Sequence, residues 1–300
     1  MSRARLLLLC PGQGDQHPAM FDLARTSPAA SVLLDRLPTS TSGDIYANRI
    51  AQPLIVAATL AMWEAIRDFA PAPALVAGYS IGELSAYGVA GAITADDALA
   101  LAAQRAALMD QCQQTHPGQT LLTITGLPLA SASTMAASYD YHIGIETGED
   151  TCIAGGPAAQ ADALQLTIEA AGARSKRLPV EVASHTPYMQ SAVQPFAQAL
   201  SAAAFGHIDI PVLAGISATP VSSRDAAIDT LSRQLAQTIH WLACMDAAAE
   251  AGITVALELG PGSALAKMLQ NRHPHIQTRS VADFRTLDGI RKWLERACEE

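Results

Sequence analysis

Gly78-Tyr79-Ser80-Ile81-Gly82 sets a serine in a G-x-S-x-G pentapeptide, between a short apolar run and a helical pattern. A strand, a sharp turn and a helix in that order push the serine oxygen out of the backbone, and the two glycines let strand and helix close around it. The helix behind Ser80 brings backbone N–H groups and a partial positive charge towards the reacting oxygen. Read this way, Ser80 is a nucleophile for acyl transfer through a serine ester. A simple tight turn is the other reading of the same five residues.

A serine nucleophile needs a proton acceptor. Of the eight histidines, His185 is best placed: it follows an apolar run at 178–182, read as a strand, and precedes a helix opened by Thr186-Pro187 as N-cap and N1. A helix N-terminus there would hold the imidazole neutral, as a base requires; otherwise His185 is a turn residue. His17, His116, His142, His207, His240, His273 and His275 lack such placement and read as surface or structural. Arg105 has Leu101, Ala102, Leu108 and Met109 as its helix neighbours at three and four positions. A guanidinium on that apolar face must find an anion, either a structural carboxylate or the carboxylate of a substrate, which its planar fork matches.

A second glycine turn, Pro11-Gly12-Gln13-Gly14, also follows an apolar run. It is not a dinucleotide fingerprint, because His17 stands where the third glycine belongs. Its glycines could aim a backbone N–H, that of Gln13, at an oxyanion, with Ile81 N–H as the second donor; an ordinary strand-end loop is the alternative.

The elements that must hold these residues follow an α/β grammar. Leu6–Cys10, 74–77 and 254–259 are short apolar runs ending in glycine turns, and 53–69, 94–112, 187–203 and 241–251 read as helices. That pattern predicts a mostly parallel sheet. Between about 120 and 182 the rhythm changes: strands at 121–125, His142–Glu146, 151–154 and 176–182, with helices at 131–139 and 158–171. The order βαββαβ is that of a ferredoxin-like unit. The predicted organisation is therefore a catalytic domain from 1–118 and 184–300, with a ferredoxin-like subdomain at 119–183 inserted into it.

Bulk properties narrow the function. With 300 residues, 50% of them hydrophobic and only 5% aromatic, the core is large and filled by small aliphatic side chains. A net charge of −9 argues against nucleic acid or an anionic membrane as partner, and the cluster Arg174, Lys176, Arg177 reads as a solvated strand edge. Five scattered cysteines without CxxC spacing indicate neither a disulfide framework nor a metal site. The leucine run near the start is too short for a secretory segment, and 1–10 reads as a first strand; the expected location is cytoplasmic.

Taken together, Pro11-Gly12-Gln13-Gly14, Gln52-Pro53, Gly78-Tyr79-Ser80-Ile81-Gly82-Glu83, Arg105, Ser184-His185 and Glu258-Leu259-Gly260-Pro261-Gly262 are similar to the motifs of malonyl-CoA:acyl carrier protein transacylases, in that family's order and over nearly the whole chain. The resemblance implies an α/β-hydrolase-like domain carrying a ferredoxin-like insertion. It implies Ser80 as nucleophile, His185 as base, Arg105 as clamp for the free malonyl carboxylate, and the Gln13 and Ile81 amides as oxyanion hole. Gln52 and Gln234 match glutamines that line the family's site, and a backbone carbonyl near Gln234 would orient His185. Malonyl-CoA would be the acyl donor, with no permanently bound cofactor and no metal. Tyr79 departs from the family's usual histidine and looks like the malonyltransferase (epsilon) subunit of malonate decarboxylases. The acceptor is then a carrier with a phosphoribosyl-dephospho-CoA arm; a fatty-acid or polyketide acyl carrier protein is the alternative. A serine thioesterase or lipase-like hydrolase and a non-catalytic docking subunit are the rival classes.

Overall fold

A computed structural model describes residues 4–36 and 44–299. The chain begins with β1 (Leu6–Cys10), α1 (Pro28–Arg36) and α2 (Asn48–Ile66), then β2 (Leu75–Gly78), α3 (Gly82–Val89) and α4 (Ala95–Thr115). A second group follows: β3 (Gln119–Thr125), α5 (Leu129–Ala137), β4 (His142–Glu146), β5 (Thr151–Pro157), α6 (Ala161–Ala170) and β6 (Arg174–Arg177). The remainder comprises α7 (Gln190–Ala202), β7 (Val212–Leu213), β8 (Pro220–Val221), α8 (Arg224–Arg233), β9 (Ile239–His240), α9 (Trp241–Glu250), β10 (Val255–Glu258), α10 (Ala264–Arg272), β11 (Gln277–Ser280) and α11 (Leu287–Glu299).

The strands form two sheets, in a mixed α/β fold. The larger runs β11-β10-β1-β2-β7-β8 and is parallel except for the β7–β8 pair. Its central strand explains the layering. Leu6 and Leu8 of β1 enter one core with Leu54 of α2, Leu84 of α3 and Phe196 of α7, while Leu7 and Leu9 enter another with Trp241 and Met245 of α9 and Leu269 of α10. Successive side chains of a strand face opposite ways, so four leucines in a row mark a strand covered on both faces.

The smaller sheet runs β6-β3-β5-β4-β9. The first three pairings are antiparallel, and β9, from far along the chain, adds parallel to β4. Leu122, Ile124, Ala132, Leu164 and Ile168 give this sheet its own core against α5 and α6. Arg174, Lys176 and Arg177 lie exposed on the edge strand β6, with Arg177 paired to Asp162 at 2.9 Å. Among the described residues, no helix is long and apolar enough to cross a membrane.

Several boundaries differ from the sequence expectation. The helix expected from Pro53 starts at Asn48, so that Pro53 lies inside its second turn, where it gives up the backbone bond to Arg49 O without ending the helix. The strand expected over 176–182 is β6, at Arg174–Arg177; Leu178 N–H still reaches Leu121 O (2.9 Å), but Pro179 has no N–H to continue the ladder. The helix expected from Pro187 opens as a single 3-10 turn, with α7 proper at Gln190. The first strand is Leu6–Cys10; residues 1–3 of that expected strand lie outside the described residues.

The glycines flanking Ser80 are required by close approach. A Cβ on Gly82 would stand 2.1 Å from the Cys10 carbonyl oxygen, and one on Gly78 would stand 2.2 Å from the backbone of Gly82 and Glu83. Both obstacles are backbone, so no side-chain rotation relieves them. Gly82→Ala is therefore expected to destabilise the fold by about 3 kcal/mol, the upper end of overpacking. Urea unfolding of the purified variant checks this, and an unchanged midpoint would contradict it.

Candidate active site

The parallel strands β1, β2, β7 and β10 all end on one edge of the larger sheet, where open α/β sheets bind their ligands. From β2 the chain turns at Ser80 and enters α3. Ser80 has φ 56° and His185 has φ 63°, both in the left-handed region that residues other than glycine seldom occupy. Such conformations persist only where the surroundings fix them, and they gather at working sites. The loop after β1 abuts this turn: Tyr79 N–H donates to Cys10 O (3.0 Å), and a Cβ on Gly12 would lie 3.7 Å from Ser80 Cβ. Gln13 is half-buried beside it and Ile81 is fully buried.

Folding brings the serine and the imidazole together across 105 residues. Ser80 Oγ lies 2.8 Å from His185 Nε2, and His185 Nδ1 lies 2.6 Å from the backbone oxygen of Gln234. A carbonyl oxygen can only accept, so Nδ1 carries the proton and Nε2 is left to accept from the serine hydroxyl. His185 N–H donates to Leu235 O (2.8 Å), which fixes the left-handed turn. Thr186 does not cap the following helix as expected: its hydroxyl donates back to Ala183 O (2.6 Å), because the helix beyond it begins as a 3-10 turn. The neutral imidazole has a different origin. Burial, and after it the charge of Arg105, push the His185 pKa down to about 3 against the opposing pull of the Gln234 carbonyl.

Arg105, on α4, is 2% exposed. Its Nη1 donates to Gln52 Oε1 (2.8 Å) and to Met109 Sδ (3.3 Å), and its Nη2 donates to Gln234 Oε1 (3.2 Å). Among the described ion pairs none involves Arg105, so the structural carboxylate that the sequence left open is not what holds it. Burial lowers the guanidinium pKa to about 10, partly offset by the charge of Glu83. Gln52 is itself held by Asn48 Oδ1 (2.6 Å) and Met109 Sδ (3.3 Å).

Gln234 joins these parts. Besides orienting His185 and accepting from Arg105, its Nε2 donates to Ser80 O (3.2 Å) and to Glu83 Oε2 (2.6 Å). All seven residues singled out in the sequence thus fall at this end of the sheet or touch a residue that does. Three contributors had no assigned role: Glu83, Met109 and Asn48. For Glu83 a signal existed, a lone acid three residues after the serine in a helix otherwise apolar or small (Gly82–Val89). A cavity of 610 Å³ opens beside His185, lined by Glu146, His142, His240, Ile216 and Gln237. Two of the histidines read as surface or structural therefore face this opening, with His240 held by Glu146 at 2.6 Å. Among the described residues no group of His, Cys, Asp or Glu is arranged to hold a metal ion.

A mixed α/β scaffold with a serine and a histidine in hydrogen-bond contact at the strand ends is the frame of an acyl-transfer protein. The acyl transferase domain family matches residues 7–285, and the chain belongs to that family. Among its relatives is the malonyl CoA-acyl carrier protein transacylase of Mycobacterium tuberculosis, 32% identical over 95% of this chain and 99% of that protein. The enzyme of the same name from Haemophilus influenzae is 26% identical over 97% and 99%. Of solved structures, the Mycobacterium tuberculosis enzyme superposes with a TM-score of 0.85 at 30% identity, covering 96% of this chain and 99% of that one. The Coxiella burnetii malonyl CoA-acyl carrier protein transacylase shares the fold at a TM-score of 0.91 and 21% identity, over 99% and 98%. A malonyl-transacylase solved in complex with a type II polyketide acyl-carrier protein has a TM-score of 0.86 at 25% identity, over 99% of both chains.

Proposed function

We propose that this chain moves a malonyl group from malonyl-CoA, through an ester on Ser80, to the thiol of a carrier protein. The observation that carries the reading is a buried guanidinium held only by neutral groups, one glutamine away from a serine–histidine pair. An apolar-acyl hydrolase has no use for such a charge; a substrate with a free carboxylate does.

In the first half-reaction the malonyl carboxylate pairs with Arg105 and the thioester oxygen sits between the Gln13 and Ile81 amides. His185 takes the Ser80 proton as Oγ attacks the carbonyl carbon, and the C–S bond then breaks, the proton passing to the departing thiolate. The carrier thiol enters, gives its proton to His185, attacks the ester carbonyl and leaves with the malonyl group, and Ser80 recovers its proton. Gln52 and Gln234 hold Arg105 in place between substrates. The order of the smaller sheet, 4-1-3-2 for its own four strands, supports a ferredoxin-like subdomain at 119–183. The elbow and parallel sheet support an α/β-hydrolase-like domain around it, with β9 crossing from one to the other.

Tyr79, at the position where the family usually has histidine, is the resemblance that favours the carrier subunit of a malonate decarboxylase as acceptor. The names of the relatives favour an acyl carrier protein. The test is to load the protein with malonyl-CoA, confirm the adduct by intact mass, and offer each carrier in its thiol form. Transfer to one carrier names the acceptor, whereas release of free malonate alone supports the hydrolase and no adduct supports the docking subunit.

The depressed His185 pKa gives a pH prediction. The neutral form is the base, and it persists until pH nears the lowered pKa of about 3. Ser80 loading should therefore run level through pH 6.5, about where an ordinary histidine would lose its base form. Single-turnover loading rates from pH 5 to 8 check this, and a half-maximal point near 6.5 would contradict it.

A further inference from the structure

We infer that Glu83 is a positioning residue for this site, gripping the Gln234 side chain so that one glutamine serves both the base and the clamp. The inference rests on the acyl-transfer reading and deepens it. Glu83 lies in the first turn of α3, is 0% exposed, and its backbone N–H donates to Ser80 O (3.0 Å). Its Oε2 accepts from Gln234 Nε2 (2.6 Å) and from Gly215 N–H (3.0 Å), while its Oε1 is buried without a partner.

The geometry decides which way the Gln234 amide faces. An amide has a donor end and an acceptor end. A carboxylate acceptor at Glu83 demands the NH2 group, and the guanidinium of Arg105, which only donates, demands the oxygen. Glu83 and Arg105 therefore hold the amide from its two sides, which anchors the residue whose backbone carbonyl meets His185. Gly215 is part of the grip, since a Cβ there would stand 3.0 Å from Glu83 Oε2 and 3.2 Å from Ile239. Burying a carboxylate with no direct cation and one unsatisfied oxygen is costly, and burial pushes its pKa up to about 7. What offsets that cost is the pair of hydrogen bonds the carboxylate accepts from Gln234 and Gly215.

Two substitutions separate hydrogen bonding from charge. In Glu83→Gln the amide oxygen takes the place of Oε2 and accepts both bonds, with the NH2 group where Oε1 had no partner. Loading of Ser80 from malonyl-CoA should stay within about threefold of wild type. In Glu83→Ala the grip is lost, and the loading rate should fall roughly 10–100-fold, the range typical when a support behind a reacting group is removed. The malonyl-to-acetyl selectivity should fall with it, because Arg105 loses the same partner. Gly215→Ala, which displaces the carboxylate without changing it, should lower selectivity in the same direction, and it carries the test if Glu83→Ala does not fold. A merely structural role would reduce the active fraction and leave the selectivity ratio alone. Unchanged selectivity in Glu83→Ala or Gly215→Ala, or a Glu83→Gln variant as impaired as Glu83→Ala, would overturn the inference. Failure of the wild-type protein to acylate at Ser80 would instead overturn the reading beneath it.

Discussion

Ser80→Ala is expected to abolish the covalent adduct that wild-type protein forms with malonyl-CoA, and to lower transfer to a carrier thiol by roughly four to six orders of magnitude. The size follows from the geometry. Among the described residues the hydroxyl is the nucleophile in hydrogen-bond contact with His185 Nε2, at 2.8 Å, and the imidazole has one free acceptor because its other nitrogen is committed to the Gln234 carbonyl. Residual activity would come from binding and the oxyanion hole alone, which cannot supply a covalent intermediate. The variant should fold normally. Losing the oxygen removes one partly accessible hydrogen bond and relaxes no packing, although alanine keeps the strain of φ 56°. Intact mass after incubation with malonyl-CoA is the decisive measurement. An adduct of the same mass on Ser80→Ala would place the acyl group elsewhere and sink the mechanism.

How far the sequence could go is clearest from the residues it handled unequally. The nucleophile was legible because its signal is local: a turn that tight needs Gly78 and Gly82, and the spacing of Gly-x-Ser-x-Gly records that need. The two sheets were legible for a similar reason, since β1 alternates between two cores and the βαββαβ order stands in the chain itself. What could not be read was contact between distant stretches. The helical turn expected after His185 is present, opening at Pro187 as a 3-10 turn without a Thr186 side-chain cap, but the burial and the charge of Arg105, eighty residues away, that push the His185 pKa down are not local. Arg105 could be seen to need a partner, but not that its partners are two amides and a thioether. β9 is two residues long and pairs with β4 across about 94 positions, below any periodicity that a sequence can display. Glu83 shows the same limit from the other side. A single acid in an apolar helix is visible, and its partner Gln234, 151 residues on, is not.

The same buried network fixes what removal of the guanidinium should do. Arg105→Ala takes the cation from a site that a malonyl carboxylate must enter, and stranding one partner of a buried pair costs about 3–5 kcal/mol, or roughly 10²–10⁴ in kcat/KM. Uncharged acyl groups never made that contact, so acetyl-CoA loading should fall only as far as the loosened Gln234 costs it, much less than malonyl loading falls, and the preference should collapse. Folding stability should fall as well. Removal of the guanidinium relieves its desolvation, which burial shows as a lowered pKa, but it leaves a cavity and takes the donor from the Gln52 and Gln234 oxygens, while Glu83, whose ionised form Arg105 favours, can bind a proton more readily. The charge of Arg105 also depresses His185, so its loss should raise the imidazole pKa from about 3 and carry the acid limb of loading upward with it. Three readouts from one variant are thus tied together: selectivity falls, unfolding stability falls without loss of the fold, and the acid limb climbs. A variant that kept its malonyl preference would show that the carboxylate is recognised elsewhere. If it lost selectivity only because it unfolded, the stability measurement would expose that at once.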